Sequence, residues 1–466
     1  MLVQRSDVGE FRRRYRWLVL VAIAAFGTLI GRLGQLQLVE GDLHRAQARR
    51  NIVRERSLAT TRGVIRDAFG RVLAANRPSY SVHITPSAID LEATWPRVMK
   101  VVPLDELDRA AIEKKIAEIK ALPKDDKRRG QQILLKTDVD RDVVAFLETH
   151  EKELDGVEVT PSPVRYYPYG ELGAHAIGYM QEVDAEALER LDERGYRAGD
   201  HIGAIGIERR WESYLRGQRG WRKIVRGVTR RESTAEIDAK YLEEPRRLEP
   251  IPGRDISLTM DIDLVSSIDK GMRGQLAGAV VVVDVRTGRL LAALSKPSFD
   301  PNVVSGGNGT KAVRDAFRRL NTDPLKPTMD KTISAAYPPG STYKPFMALA
   351  ALALHKRTPG WGFQDPGYYT FGGHTFRNDV RAGQGWVDMN RAIVVSNDTY
   401  FYMLAHDLGV NAMAGFMKPW GFGQITGIDI NGEARGILPS TEWKRKAYRK
   451  PEQQRWYEGE TISLGI

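Results

Sequence analysis

Two short segments of this sequence carry side chains whose types and spacing could do acyl-transfer chemistry. The first reads Tyr337-Pro338-Pro339-Gly340-Ser341-Thr342-Tyr343-Lys344-Pro345 and runs into an apolar stretch from Phe346 to Leu354. The apolar stretch has a helical composition, the Pro-Pro-Gly before it cannot be helical, and Pro345 is tolerable only in a first turn. Ser341 is therefore predicted at or next to a helix N-terminus. Lys344 follows three residues later on the same face, within hydrogen-bond reach. Unpaired N–H groups and the positive end of the helix dipole favour an oxyanion at an attacked carbonyl. The same positive end, with burial, predicts a neutral Lys344 amine able to take the serine proton. Ser-x-x-Lys alone is a weak pattern, and its plain alternative is an N-capping serine beside an exposed lysine.

The second segment is Val394-Val395-Ser396-Asn397-Asp398-Thr399-Tyr400-Phe401-Tyr402, a polar triplet between apolar flanks. Alone, it reads as a helix cap. The sequence has no cysteine, which excludes thiolate nucleophiles, disulfides and cysteine-ligated zinc.

The elements that must position these residues belong to a chain of 466 residues, long enough for two or three domains. Arg12, Arg13, Arg14 and Arg16 precede an apolar run from Trp17 to Gly31, and Arg32 interrupts before Leu33, Leu36 and Leu38. Trp17 to Leu38 as one helix spans about 33 Å, enough to cross a hydrocarbon core if Arg32 snorkels. An uncleaved anchor is preferred over a signal peptide, because Gly31-Arg32-Leu33 is a poor cleavage site, and over a buried helix. Arginines on both flanks leave only a mild preference for a cytoplasmic N-terminus. The net charge of +11 suits nucleic acid or an anionic membrane. Nine Lys or Arg residues between Glu208 and Glu232 are interleaved with Trp211, Tyr214 and Trp221. Beside an anchor they read as a solvated face near lipid headgroups rather than a nucleic-acid surface.

Leu38 to Arg50 is predicted to continue the helix, and Gly63 to Ala74 to form a hairpin. Asp105 to Ile119 and Asp138 to Lys152 have helical spacing. Pro161 to Tyr169 and Gly199 to Gly206 read as loops. The proline-containing stretch Glu243 to Pro252 reads as a linker. Beyond it come a strand at Ile256 to Met260 and a helix at Asp263 to Leu276. Ala279 to Val285 is a strand apolar enough to be buried on both faces. A turn at Arg286-Thr287-Gly288 and a strand at Arg289 to Leu294 complete this part.

Together the two chemical segments resemble the first two motifs of the penicillin-binding and serine β-lactamase superfamily. Nearly the whole chain is similar to class B penicillin-binding proteins, especially the elongation-type penicillin-binding protein 2 group. Arg62-Gly63-Val64-Ile65-Arg66-Asp67 and Gly206-Ile207-Glu208 before Leu215-Arg216-Gly217 resemble the family's non-catalytic pedestal. Gly427-Ile428-Asp429 and Gly432-Glu433 before Pro439 resemble its segment after the second motif. The resemblance implies an α+β multidomain chain: a tail at 1–16, a transmembrane helix at 17–38, an elongated pedestal at 39–242 and a linker at 243–252. Residues 253–466 would be the N-terminal part of a transpeptidase domain, with helices around an antiparallel sheet.

Carried over by position, Ser341 is the acylated nucleophile, Lys344 its general base and Ser396 the relay to the departing D-alanine amine. Asp398 stands where most of the superfamily has asparagine; it could accept a hydrogen bond from a substrate amide but not donate one. The family's third motif, Lys-Thr-Gly, is absent after Ser396; Arg286-Thr287-Gly288 precedes the serine and Lys331-Thr332 is followed by Ile333. A substrate-holding cation and an oxyanion-hole N–H belong to that motif. The chain is thus expected to be C-terminally truncated, and to acylate feebly as it stands. Some elongation-type relatives bind zinc between the first two motifs. Here Asp365, His374 and Asp379 lack a cysteine partner, with Gln384 and Ile393 where further ligands are sought. Solvated loop residues, no metal and no cofactor are expected.

The implied function is penicillin-sensitive D,D-transpeptidation of peptidoglycan stem peptides during cell elongation. It implies an inner-membrane protein with its bulk in the periplasm. The implied partners are stem peptides, lipid-linked glycan strands, β-lactams and a polytopic glycan polymerase, with no nucleic acid. A hydrolysing β-lactamase or D,D-carboxypeptidase fits the large pedestal poorly. The absent third motif favours a catalytically impaired scaffold or sensor.

Overall fold

The apolar N-terminal run forms one helix, α1 (Val8–Gly34), passing into a π-helical turn, Gln35–Val39. Arg32 ends the purely apolar stretch, and its guanidinium turns along the helix to donate to Gln35 at 2.7 Å. Arg14–Gln37 is long and apolar enough to cross a membrane, and none of its most apolar stretch is buried by the rest of the chain. The computed structural model describes residues 8–40, 53–123, 126, 132–191, 195–196, 199–225, 245–305 and 311–466. The helical continuation predicted to Arg50 lies, beyond Glu40, outside the described residues.

The chain divides into two compact units. One comprises Met1–Val64 and Tyr214–Asp255. Its sheet has Gly220–Val225 at the centre, antiparallel to Val53–Leu58 on one side and to Arg247–Leu248 on the other. Gly253 fits there because a side chain would collide with the Leu215 carbonyl, 1.8 Å from where its Cβ would stand.

The other unit comprises Ile65–Ser213 and Ile256–Ile466. The predicted hairpin forms as Ile65–Arg66 against Val72–Arg77, and Ile256–Ser257 pairs with the first of these strands in parallel. Asp67 holds the turn: it accepts from Phe69 N at 2.9 Å and Arg71 N at 2.8 Å. Arg71 then reaches Asp261, the cap of the helix Ile262–Gly271. That helix ends earlier than the predicted Leu276. The prediction of loops at 161–169 and 199–206 was wrong in part. Val164–Tyr166 pairs with Ala75–Arg77, and His201–Gly203 pairs with Met180–Glu182. Strands of three residues between prolines and glycines leave too little alternation to register as strands. A second sheet centres on Tyr80–Ile84, where Val82, Ile84, Trp95, Val98, Ile116 and Leu147 build an apolar core with three helices.

β1 (Gly278–Val283) and β2 (Leu290–Lys296) form an antiparallel hairpin joined by the Arg286-Thr287-Gly288 turn, in which Gly288 N donates to Asp284 O at 2.8 Å. β1 was expected to be buried on both faces. Instead its side chains alternate, with Val281 and Val283 each 47% exposed. β2 is the buried strand, through Ala292, Ala293 and Leu294.

Candidate active site

Five further elements position the predicted chemistry: α2 (Lys344–Ala353), β3 (Gly362–Asp365), β4 (Gly385–Asp388) paired antiparallel to β3, and then α3 (Met389–Val394) and α4 (Asp398–Leu408). Met347, Ala350 and Ala351 of α2 pack against Tyr400, Phe401 and Leu404 of α4 in one apolar cluster. This packing carries Ser341 and Ser396, distant in sequence, to the same place.

Ser341 does not begin the α-helix. It lies in a 3₁₀ turn, Gly340–Tyr343, one turn before α2. Pro345 explains this. It has no N–H, so no α-type bond can reach the Ser341 carbonyl; the Lys344 N–H takes that carbonyl instead. Gly340, at φ +56°, supplies the left-handed entry that the bend needs. In a 3₁₀ turn side chains three apart eclipse, so Ser341 and Lys344 do share a face.

They do not bond to each other among the described residues. Ser396 stands between them: its hydroxyl is 2.8 Å from the Ser341 hydroxyl and 3.2 Å from Lys344 Nζ. Lys344 Nζ also reaches the Ser396 carbonyl at 3.0 Å and Asp398 Oδ1 at 2.5 Å. A carboxylate attracts the lysine more strongly than a neutral hydroxyl does, which turns Nζ away from Ser341. The Lys344 side chain is 2% exposed, with the Phe401 ring 5.3 Å from Nζ, whereas both serines are exposed. The nucleophile candidate thus faces solvent above a buried amine. Asp398 is paired to Lys344 through Oδ1, and its Oδ2 has no protein partner among the described residues.

Tyr343 precedes Lys344 in the chain, and Tyr402 feels the Asp398 carboxylate. Burial pushes both up, Tyr402 to about 12 with the Asp398 carboxylate adding to the effect, so both stay protonated near neutral pH. Neither competes with Lys344 as a proton acceptor.

Of the residues considered for a metal, His374 and Asp379 are exposed. Asp365 is not the solvated loop residue expected. It ends β3, is 4% exposed, and accepts from Asn397 Nδ2 at 2.7 Å and from Asn378 Nδ2 at 3.1 Å. Gln384 binds the same two amides through Oε1, and Ile393 is exposed on α3. Among the described residues no three His, Cys, Asp or Glu side chains gather to hold a metal ion. Asn378 was missed from sequence: an asparagine in a polar stretch carries no signal until the fold brings it beneath Asp398. Lys331 is buried, with Nζ donating to the Lys326 carbonyl at 3.0 Å.

Comparison with known proteins gives these features a family. Residues 57–258 match the penicillin-binding protein dimerisation domain and residues 278–466 the penicillin-binding protein transpeptidase domain. The chain belongs to the penicillin-binding proteins. Within them it is 34% identical to the peptidoglycan D,D-transpeptidase MrdA of Escherichia coli K12, across 99% of this chain and 70% of that protein. The fold matches the PBP2 of the Helicobacter pylori PBP2–MreC complex with a TM-score of 0.71, at 24% identity, over 89% of this chain and 74% of that one. It also matches a chain of a peptidoglycan synthase complex that coordinates polymerization and crosslinking, with a TM-score of 0.61 and 27% identity, over 97% of this chain and 74% of that one.

Proposed function

We infer that this chain is a serine-type peptidoglycan D,D-transpeptidase of the elongation type, with Ser341 as its acylated residue. The observation that carries the reading is the Ser341–Ser396–Lys344–Asp398 line, with consecutive contacts of 2.8, 3.2 and 2.5 Å. With Lys344 Nζ neutral, its proton lost to bulk water, Ser341 Oγ attacks the penultimate D-alanine carbonyl of a stem peptide. Its proton passes to Ser396 Oγ as Ser396 gives its own to Nζ, and Asp398 stabilises the ammonium formed. Collapse of the tetrahedral adduct breaks the peptide bond. The proton returns through Ser396 to the departing D-alanine amine; a neighbouring stem peptide's amine then attacks the Ser341 ester, the ester bond breaks, and the amine's proton passes back to Ser341 Oγ. Asp398 Oδ2 can accept a hydrogen bond from a substrate amide.

The same reading makes residues 17–38 a single membrane anchor in the inner membrane, with 1–16 cytoplasmic and the bulk periplasmic. Residues 39–242 form the non-catalytic pedestal and 253–466 belong to the acyl-transfer domain; 243–252 joins them, although its Arg247–Leu248 pairs as a strand with Gly220–Val225. A polytopic glycan polymerase is the partner proposed for the anchor and pedestal, in line with a relative solved inside a peptidoglycan synthase complex. Peptide mass mapping after treatment with a penicillin tests the assignment. A drug-sized addition on Ser341, lost in Ser341→Ala, is expected; attachment to another residue would refute it.

A further inference from the structure

Ser396 has a backbone φ of +54°, in the left-handed region that residues with a Cβ rarely occupy. Such a conformation persists only where the surroundings impose it. Ser396 lies on the surface and its own side chain points to the catalytic line, so the constraint comes from its neighbours. Asn397, the next residue, is 0% exposed. Its Oδ1 caps α4 by accepting from Tyr400 N at 2.7 Å, and its Nδ2 donates to Asp365 Oδ2 and to Gln384 Oε1, each at 2.7 Å. Asn378 holds the residue after Asn397, Asp398. Its Oδ1 accepts from Asp398 N at 3.1 Å, while its Nδ2 donates to the same Asp365 Oδ2 and Gln384 Oε1, each at 3.1 Å.

Asp365 is the hub. Besides the two amides it takes Gln384 N on Oδ2 at 3.1 Å and Gly367 N on Oδ1 at 2.9 Å. No Lys, Arg or His forms an ion pair or hydrogen bond with its carboxylate among the described residues. Its position is set by β3 pairing with β4, where Asp365 faces Gly385. Both donors of both asparagine amides are therefore consumed, and each amide can sit in one orientation only. Capping α4 needs just the Asn397 carbonyl oxygen. The remaining bonds add nothing to the helix, but they tie the two residues that follow Ser396, Asn397 and Asp398, to a strand pair.

We propose that Asp365, Asn378, Gln384 and Asn397 are positioning residues that lock the Ser396 turn so that its hydroxyl bridges Ser341 and Lys344. They touch neither substrate nor the reacting atoms. This rests on the reading of Ser341 as the acylated residue. Misplacing a reacting group by about 1 Å costs up to about a hundredfold in rate, so loosening the turn is expected to slow acylation while leaving the penicillin's initial binding unchanged.

The test uses full-length protein and a fluorescent penicillin in stopped flow, which separates the saturating acylation rate from the half-saturating concentration. Asn397→Ser keeps a cap acceptor but cannot donate twice; Asp365→Asn removes the carboxylate hub. Each is expected to lower the saturating rate by about ten- to a hundredfold, with the half-saturating concentration unchanged and one label per chain, still on Ser341, at the endpoint. If Asp365→Asn does not fold, Gln384→Met, which removes one acceptor at similar volume, carries the same test. Variants that acylate at the wild-type rate, or lose only label stoichiometry in step with folded protein, would overturn the proposal and leave Ser341 as the nucleophile. A wild-type chain unlabelled at Ser341 would overturn that earlier reading and this proposal with it.

Discussion

The hydroxyl of Ser396 lies 2.8 Å from that of Ser341 and 3.2 Å from Lys344 Nζ, so the two hydroxyls and the amine stand in series. The same heavy atoms serve a proton moving either way along the line, which suits a step that first takes a proton from Ser341 and later returns one to a leaving amine. Ser396→Ala interrupts the series without touching the nucleophile. It is expected to slow penicillin acylation of Ser341 by about a hundredfold or more, while Ser341→Ala abolishes the covalent label. Gel fluorescence over time checks both. An unchanged rate in Ser396→Ala would show that the proton travels by another route.

Lys344 and Asp398 form a largely buried pair, 2.5 Å apart, with side chains 2% and 17% exposed. Removing one member leaves the other charge without its partner in a poorly hydrated place. Asp398→Ala is expected to cost about 3 kcal/mol of stability. Lys344→Met combined with Asp398→Leu is expected to cost much less than the two single changes added together. Urea unfolding of the four proteins in the cycle measures this; strict additivity would mean that the pair contributes no coupling.

Stability should fall on acidification from the histidine range downward. His175 is 5% exposed, its Nε2–H donates to the Pro327 carbonyl at 2.6 Å, and it packs edge-on against Phe299. Burial holds its pKa below the ordinary histidine value, as it does for His83 and His201. The unfolded chain therefore takes up protons near pH 6.5, where the folded chain does not, so stability is full above that pH and is lost as pH drops toward the folded values. The melting temperature is expected to decline from pH 7.5 to 5.5. His175→Gln, which keeps a donor but cannot titrate, should make that decline shallower, and an identical slope would remove His175 as a contributor.

Glu208, from the Gly206-Ile207-Glu208 segment, is 0% exposed and accepts from Arg165 Nε at 2.6 Å. Glu208→Ala removes the carboxylate partner of a buried guanidinium and is expected to destabilise the fold by about 3–5 kcal/mol, read from chemical denaturation. Glu208→Gln, which keeps an acceptor oxygen, should cost clearly less. Equal losses would place the effect in packing rather than charge.

The local order of the chain was legible because it follows from local chemistry. The apolar run after the arginines made α1, the turn at Asp67 made the hairpin, and Pro-Pro-Gly before an apolar stretch put a bend ahead of α2. The serine, the lysine and the polar triplet were legible for the same reason, since each segment's residue types restrict its backbone. Three-residue strands such as His201–Gly203 were not, because their pairing partners, not their own composition, make them strands. Nor could spacing show which atom Lys344 would face. Eclipsed placement brought it beside Ser341, but the choice among Ser341, Ser396 and Asp398 depends on a carboxylate from α4 arriving 2.5 Å from its amine. The burial of Asp365 and its bonds to Asn378, Gln384 and Asn397 likewise required strand pairing and helix packing to bring four polar residues together. Sequence determined the chemical groups and the bends that present them; long-range packing, which no local pattern encodes, decided which group each one meets.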